Sequence, residues 1–287
     1  MGDQPDLSSF ASLRDWEGRR ESVPDVLHPT PVRALATTLD LDGVDADDGA
    51  PLPPLWHWLY FLPLTPTSGL GPDGHARRGG FLPPVPLERR MWAGGRLTFH
   101  HPLHLGEQVE RTSQIVSVSP KRGRAGPIVL VTVSHTVTST HGVAVQEEQD
   151  LVYVAMPTSF TPPPADPLPD GLEWCEERRV DPVVLFRFSA LTFNAHRIHY
   201  DLRYSTEVEH YPGLVVHGPL QAVLLMDSAH RHRPGNQPAT YGYRASRPIF
   251  ADAPCLVAGR TAEDGCTEAF TASPSRDVAM RARVTWR

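Results

Sequence analysis

An α+β fold made of two like halves is what the sequence predicts, each half an antiparallel sheet wrapped around a single helix. Three observations predict it. A proline-rich stretch, M-P-T-S-F-T-P-P-P-A-D-P-L-P-D-G at 156–171, divides the 287-residue chain, because repeated prolines block both helix and interior strand. On either side of it lie several β-branched runs with the alternation of half-buried strands. In the second half one long apolar segment, Y-P-G-L-V-V-H-G-P-L-Q-A-V-L-L-M-D-S-A-H-R-H at 211–232, carries Pro219 where a first helical turn accepts it.

Residues 1–155 form the first half, 156–172 the linker and 173–287 the second half. The first half opens on polar, acidic sequence and then gives L-P-P-L-W-H-W-L-Y-F-L-P (52–63), which reads as a buried helix. Strands are expected at Arg96–Phe99, Gln108–Val118, Ile128–Ser139 and Val143–Ala155, with turns at P-K-R-G-R-A-G-P and T-H-G. In the second half, V-V-L-F-R-F-S (Val183–Ser189) reads as an opening strand and the V-H-G segment as a central, nearly all-buried helix. Strands follow at Ala239–Arg247, Pro254–Ala262, Thr267–Ala272 and Val278–Trp286. One helix wrapped by an antiparallel sheet, twice in one chain, is a tandem (double) hot-dog fold.

The totals exclude several classes of function. A chain that is 40% hydrophobic with a formal net charge of -6 has a core to bury and no global electrostatic reason to bind nucleic acid or anionic membrane. No apolar run approaches the roughly 20 residues of a membrane span, and the opening M-G-D-Q-P-D-L-S-S-F lacks a basic-then-apolar signal. The expectation is therefore a soluble, cytoplasmic protein. Cys175, Cys255 and Cys266 leave an odd thiol without C-x-x-C spacing, so they imply neither a disulfide set nor a zinc ribbon. The single lysine, Lys121, stands among 26 arginines if the 27 basic residues are divided.

The densest chemistry lies in S-A-L-T-F-N-A-H-R-I-H-Y-D (189–201), followed some eighteen residues on by V-V-H-G-P-L-Q-A. This pairing resembles the MaoC-like hydratase and dehydratase family, whose segment S-G-D-x-N-P-(I/L)-H precedes (I/V)-V-H-G at the start of the central helix. Aligning the terminal histidine with His199 sets His196 under the family's asparagine and Asn194 under its catalytic aspartate. The form T-F-N-x-H-(R/K)-I-H-Y-D resembles one branch, the mesaconyl-CoA and itaconyl-CoA hydratase-like proteins and mitochondrial hydroxyacyl-thioester dehydratases. In the first half, L-W-H-W-L-Y-F-L-P, D-G-H-A-R-R-G-G-F-L-P-P-V-P-L and R-R-M-W-A-G-G-R-L resemble that branch's N-terminal domain.

The resemblance implies reversible hydration of a 2-enoyl-CoA, such as a branched dicarboxylic one, with the thioester as substrate and no metal or redox cofactor. The second half then supplies the catalytic residues and the first completes the CoA groove. His199 is the expected base, Asn194 a hydrogen-bonding partner of the water, and the Gly218 N–H a donor to the thioester oxygen at a helix N-terminus. A carboxamide accepts no proton at neutral pH, so Asp201 is the candidate for the missing carboxylate, with a helix N-cap as its competing role. His196 and His217 are expected to orient loops or satisfy backbone groups, His217 being counted with His199, Asn194, Gly218 and Asp201 in the candidate catalytic set. H-x-x-H with Asp201 lacks the H-E-x-x-H pattern and a distant third ligand, which argues against a metal site.

For CoA phosphates the candidate cations are Lys121, Arg122 and Arg124 in the glycine-bearing turn and Arg77 and Arg78 in A-R-R-G-G-F. Arg244 and Arg247 in Y-G-Y-R-A-S-R-P are candidates for a substrate carboxylate, with edge-strand charges as their competing role. A homodimer is compatible with this reading. A hot-dog thioesterase and a non-catalytic acyl-thioester-binding protein are its rivals, since fold alone does not fix chemistry.

Overall fold

The computed structural model describes residues 7–123 and 126–287. After a 3-10 stretch over Leu7–Trp16, the first half contains β1 (Arg20–Val26), α1 (Pro29–Thr38), a 3-10 turn at Trp56–Leu59, β2 (Arg89–Phe99), β3 (Gln108–Gly123), β4 (Gly126–Ser139) and β5 (Gly142–Val154). The second contains β6 (Trp174–Arg178), α2 (Pro182–Leu191), a 3-10 turn at Arg197–His199, α3 (Leu202–Glu207), α4 (Gly218–Arg231), β7 (Pro238–Ala245), β8 (Cys255–Thr261), β9 (Thr267–Ala272) and β10 (Val278–Trp286).

All ten strands join one antiparallel sheet in the order β1-β3-β4-β5-β2-β7-β10-β9-β8-β6. Numbered within each half, that order is 1-3-4-5-2 followed by its mirror image, so the duplication is explicit in topology. The halves meet where β2 pairs with β7, from Gly94 opposite Arg244 to Thr98 opposite Thr240. No helix among the described residues is long and apolar enough to cross a membrane.

The core follows from α4, whose Leu220, Ala222, Val223, Leu224, Leu225 and Met226 are all buried. A helix buried on every side through its middle turns, with only its C-terminal His230 and Arg231 exposed, must be wrapped. Full burial of each large side chain contributes about 1.5–3 kcal/mol. Tyr241 on β7 donates its hydroxyl to the Ala222 carbonyl at 2.9 Å, which pins the middle of the helix to the sheet.

Three expectations need correction. Val183–Ser189 is not a strand but the body of α2. Asp181 caps that helix, accepting from the Val183 and Val184 amides at 3.0 Å each, and Pro182 occupies its first turn. Short apolar runs satisfy both periods, and here the cap decided. The opening strand is β6 instead.

The segment 52–63 forms one 3-10 turn, and the first half's helix is α1, started by Pro29. The turn lies within P-K-R-G-R-A-G-P as expected, but the strands beside it run further than expected, since β3 and β4 remain paired as far as Gly123 and Gly126. Its tip, with Arg124, lies outside the described residues. β1 escapes the sequence reading because Pro24 argues against a strand, and an edge strand is where a missing N–H is tolerated.

Candidate active site

The loop after α2 is built by local hydrogen bonds. Phe193 takes a left-handed conformation (φ 50°), and Asn194 Oδ1 accepts from the His196 amide at 3.0 Å, closing a tight turn. The turn Arg197–His199 follows, and Asp201 then caps α3 by accepting from the Tyr204 amide at 3.0 Å. The extended residues before α4 cross this loop: the Val215 amide donates to the Ile198 carbonyl at 3.0 Å. Asn194, His196, His199, His217 and Gly218 are thereby gathered at the N-terminus of α4.

His199 is buried, and its Nδ1 lies 2.7 Å from the Val215 carbonyl. A carbonyl only accepts, so Nδ1 carries the proton and Nε2 keeps its lone pair. Burial, then the neighbouring His196, lowers the His199 pKa to about 3, against a smaller upward pull from the Val215 carbonyl. The His217 ring is stacked on His199, with centroids 3.6 Å apart and planes 20° from parallel. His217 Nε2 is 2.8 Å from Ser189 Oγ, and burial followed by His199 and His196 holds its pKa well below the usual range. His217 is the residue preceding α4, and Gly218 is its first helical residue, where backbone N–H groups lack partners within the helix.

His196 stands edge-on to His199, with ring centroids 5.4 Å apart. Its Nε2 donates to Glu209 Oε1 at 3.0 Å, and Glu209 Oε2 pairs with Arg89 Nε at 3.2 Å. This ion pair is buried, and it joins β2 of the first half to the second. On its other side His196 meets His75, whose ring centroid is 4.1 Å away. His75 Nδ1 is 3.1 Å from Asp73 Oδ2. Burial, then nearby Arg90, holds the His75 pKa well below its usual value. Burial would raise the Asp73 pKa, but the hydrogen bond and charge of His75 outweigh it and keep the carboxyl below its usual range.

Several predicted residues lie elsewhere. Asp201 does not orient either histidine, because its oxygens serve the Tyr204 amide and Arg197, 2.7 Å away. The carboxylate beside His196 is Glu209. Arg78 spends its guanidinium on the Val85, Leu87 and Glu88 carbonyls, and Arg247 on those of Pro163 and Pro164, so both tie loops down. Arg77 Nε donates to the Leu70 carbonyl at 3.2 Å. Arg244 alternates with the inward-facing Tyr243 and so lies on the outer face of β7, away from α4. Lys121 and Arg122 are exposed near the tip of the β3–β4 hairpin.

Sequence reasoning missed Asp73, His75, Arg89 and Glu209. A signal existed for the first two in G-P-D-G-H: Gly74 has φ 89°, and a side chain there would collide with the Ala195 carbonyl. Nothing local distinguishes Glu209.

Comparison with known proteins is consistent with this geometry. Residues 55–251 match the model of the family described as hydroxyacyl-thioester dehydratase type 2. The chain is 45% identical over 260 residues to the mesaconyl-C(4)-CoA hydratase of Chloroflexus aurantiacus, covering 88% of this chain and 90% of that protein. Among solved structures it resembles a MaoC-like dehydratase from Phytophthora capsici, with TM-score 0.68 and 11% identity over 96% of this chain and 98% of the other. It also resembles a double hot-dog protein of Mycobacterium tuberculosis, with TM-score 0.60 and 12% identity over 99% and 98% of the two chains. At those identities the structures establish the double hot-dog fold alone. The family match and the 45% identity go further: the chain is a member of the hydroxyacyl-thioester dehydratase type 2 family of MaoC-like hydro-lyases.

Proposed function

We propose that this hydro-lyase adds water reversibly across the double bond of a short, branched dicarboxylic 2-enoyl-CoA, with His199 as its base. The observation that carries the assignment is the 2.7 Å bond from His199 Nδ1 to the Val215 carbonyl. It fixes the tautomer and leaves Nε2 as the lone pair beside the N-terminus of α4. Asn194 Oδ1 is taken by the His196 amide. Its NH2 group therefore remains as the donor that orients water.

The low pKa of His199 shapes the mechanism. A buried imidazole without a counter-ion is a weak base, so it does not ionise water in advance. Charge developing on the thioester oxygen supplies the missing counter-ion. At about 4 Å, and with an effective dielectric near 20, such a pair is worth about 4 kcal/mol, which brings proton uptake into step with enolate formation. The Gly218 N–H, at the positive end of α4, stabilises the same oxygen. His199 then returns the proton to the α-carbon. The reaction moves a proton and a hydroxide with no net oxidation or reduction, so it requires no redox cofactor, and this reading assigns it no metal. The dicarboxylic substrate is suggested by the C. aurantiacus relative, and cytoplasmic operation, with or without a homodimer, belongs to this same reading.

The test follows loss of enoyl absorbance beside thiol release for mesaconyl-, itaconyl- and crotonyl-CoA. Hydration without free thiol is expected. Thiol release would indicate a thioesterase, and saturable binding without turnover a binding protein.

A further inference from the structure

We infer that Trp92, backed by Tyr243 and Trp58, closes the acyl end of this site and restricts the thioester's acyl group to a short chain. The inference rests on the hydratase reading and adds the residue that sets chain length. The pairing of β2 with β5 slips between Trp92 and Gly94, leaving Ala93 as a bulge. A bulge re-aims the side chain beside it. The Trp92 indole consequently lies against the first turn of α4, so close that a Cβ on Gly218 would sit 2.5 Å from its Cε3. The residue expected to receive the thioester oxygen is thus covered on one side by an aromatic ring.

That ring cannot easily move. Tyr243 stacks on it at 4.5 Å, with planes 22° apart, and Trp58 meets it edge-on at 5.8 Å. Tyr243 lies flat over Gly95, where any side chain would strike its hydroxyl. Trp58 Nε1 donates to both oxygens of buried Glu147, at 3.2 and 3.0 Å, and Glu147 also meets His57 Nε2 at 3.2 Å and Gln149 Nε2 at 2.7 Å. Displacing Trp58 would strip hydrogen bonds from a buried carboxylate, which resists the motion.

Trp58, Trp92 and Gly218 are nevertheless only partly buried, so this aromatic wall borders solvent beside the start of α4. With the thioester oxygen on Gly218 and the CoA arm leading outward, acyl carbons beyond the double bond run toward this wall. Each methylene a rigid pocket excludes lowers kcat/KM by roughly 10- to 200-fold.

The experiment compares crotonyl-CoA with 2-octenoyl-CoA for turnover, and butanoyl-CoA with octanoyl-CoA for binding, in wild type, Trp92→Phe and Trp92→Ala. Wild type is expected to favour the four-carbon chain by at least about tenfold, and Trp92→Ala to gain about tenfold or more on the eight-carbon substrate while losing on the short one. Trp92→Phe, the milder change, falls between them. A gain on the longer chain cannot come from damage to the fold. Wild type accepting both lengths equally, or Trp92→Ala losing both in proportion, overturns the inference. Should no thioester be turned over, the hydratase reading fails separately, and the binding ratio still decides: a short-chain preference reversed by Trp92→Ala supports the wall, while equal binding or none overturns it.

Discussion

The imidazole of His75, from the first half, lies on that of His196, from the second, with ring centroids 4.1 Å apart and planes 38° from parallel. The contact belongs to a larger seat. The Asp73 carbonyl accepts from the Arg197 amide at 2.9 Å, the Pro72 carbonyl accepts from the Arg197 guanidinium at 3.0 Å, and Gly74 leaves room for Ala195. The first half thus holds the loop that carries His196 and His199, beyond any contribution to a CoA groove. His75→Ala should lower kcat by about ten- to a hundredfold with KM little changed, because a shift of about 1 Å in a catalytic loop has that order of effect. His75→Phe keeps a ring on His196 and should retain most activity. Steady-state kinetics of both variants check this, and equal losses would assign the effect to the Asp73 hydrogen bond instead.

Removing the base itself should be more severe. His199→Ala is expected to lower kcat for hydration by about a hundred- to ten-thousandfold, the usual range for a lost general base. Circular dichroism should show the fold intact. Near wild-type kcat would remove His199 from the mechanism.

Stability rather than rate should report on Glu209. With side chains 12% and 2% exposed, Arg89 and Glu209 form a buried pair. Breaking such a pair from one side costs about 3–5 kcal/mol, since the surviving charge stays buried. Glu209→Gln should therefore lower the urea midpoint sharply, and adding Arg89→Met should restore part of the loss. If the double variant were no more stable than the single, the isolated charge would not be the cause.

The strands at Thr267–Ala272 and Val278–Trp286 were legible as short strand-like runs between turn residues, and the central helix from its apolar run behind V-H-G and Pro219. Each signal is local, so no tertiary contact was needed to read it. Val183–Ser189 was ambiguous because its apolar run suits either period, and the Asp181-Pro182 start signal just before it is what resolves the helix. The candidate site was legible as far as Asn194, His199 and Gly218, which one short motif and one helix start contain. Glu209 became a partner of His196 only when α3 and its following turn folded the chain back, and Asp73 and His75 arrive from the other half. Asp201 sat nearest in sequence, yet its oxygens serve the start of α3 and the Arg197 guanidinium.

Acid should destabilise the protein in a definite window. His199 has its pKa lowered to about 3 and His135, by burial first, to about 4, so the unfolded chain binds protons at these positions that the folded chain refuses. Stability is therefore full above the unfolded histidine pKa, near 6.5, and falls as pH drops toward those folded values, by about 1.4 kcal/mol for each unit of pKa difference. Carboxylates held low, such as Glu147 at about 2, begin to lose their contribution only below their own unfolded value. Between about pH 6.5 and 5 the buried histidines should set most of the slope, opposed in part by Glu21, whose carboxyl pKa burial pushes up. Thermal unfolding across that range checks it: His135→Gln should flatten the curve, and an unchanged slope would remove His135 from the account.

The sharpest test concerns Asn194, which the motif resemblance sets under the wider family's aspartate. Its Oδ1 accepts from the His196 amide, and an aspartate would preserve that bond while replacing the NH2 donor with a second carboxylate oxygen. Asn194→Ala loses both functions and should lower kcat strongly through lost orientation of water. Asn194→Asp keeps the turn but places negative charge near His199. An anion stabilises the imidazolium, so the His199 pKa rises from its depressed value and the acidic limb of the pH–rate profile moves upward. If the site is arranged around one neutral base and a water held by the Asn194 NH2 group, the variant should also be slower at neutral pH, because its carboxylate accepts where the amide donated. pH–rate profiles of wild type and Asn194→Asp on one accepted enoyl-CoA measure both effects. A faster Asn194→Asp variant would show a two-base site awaiting its carboxylate, and an inactive wild type beside an active variant would favour the binding protein over the hydratase.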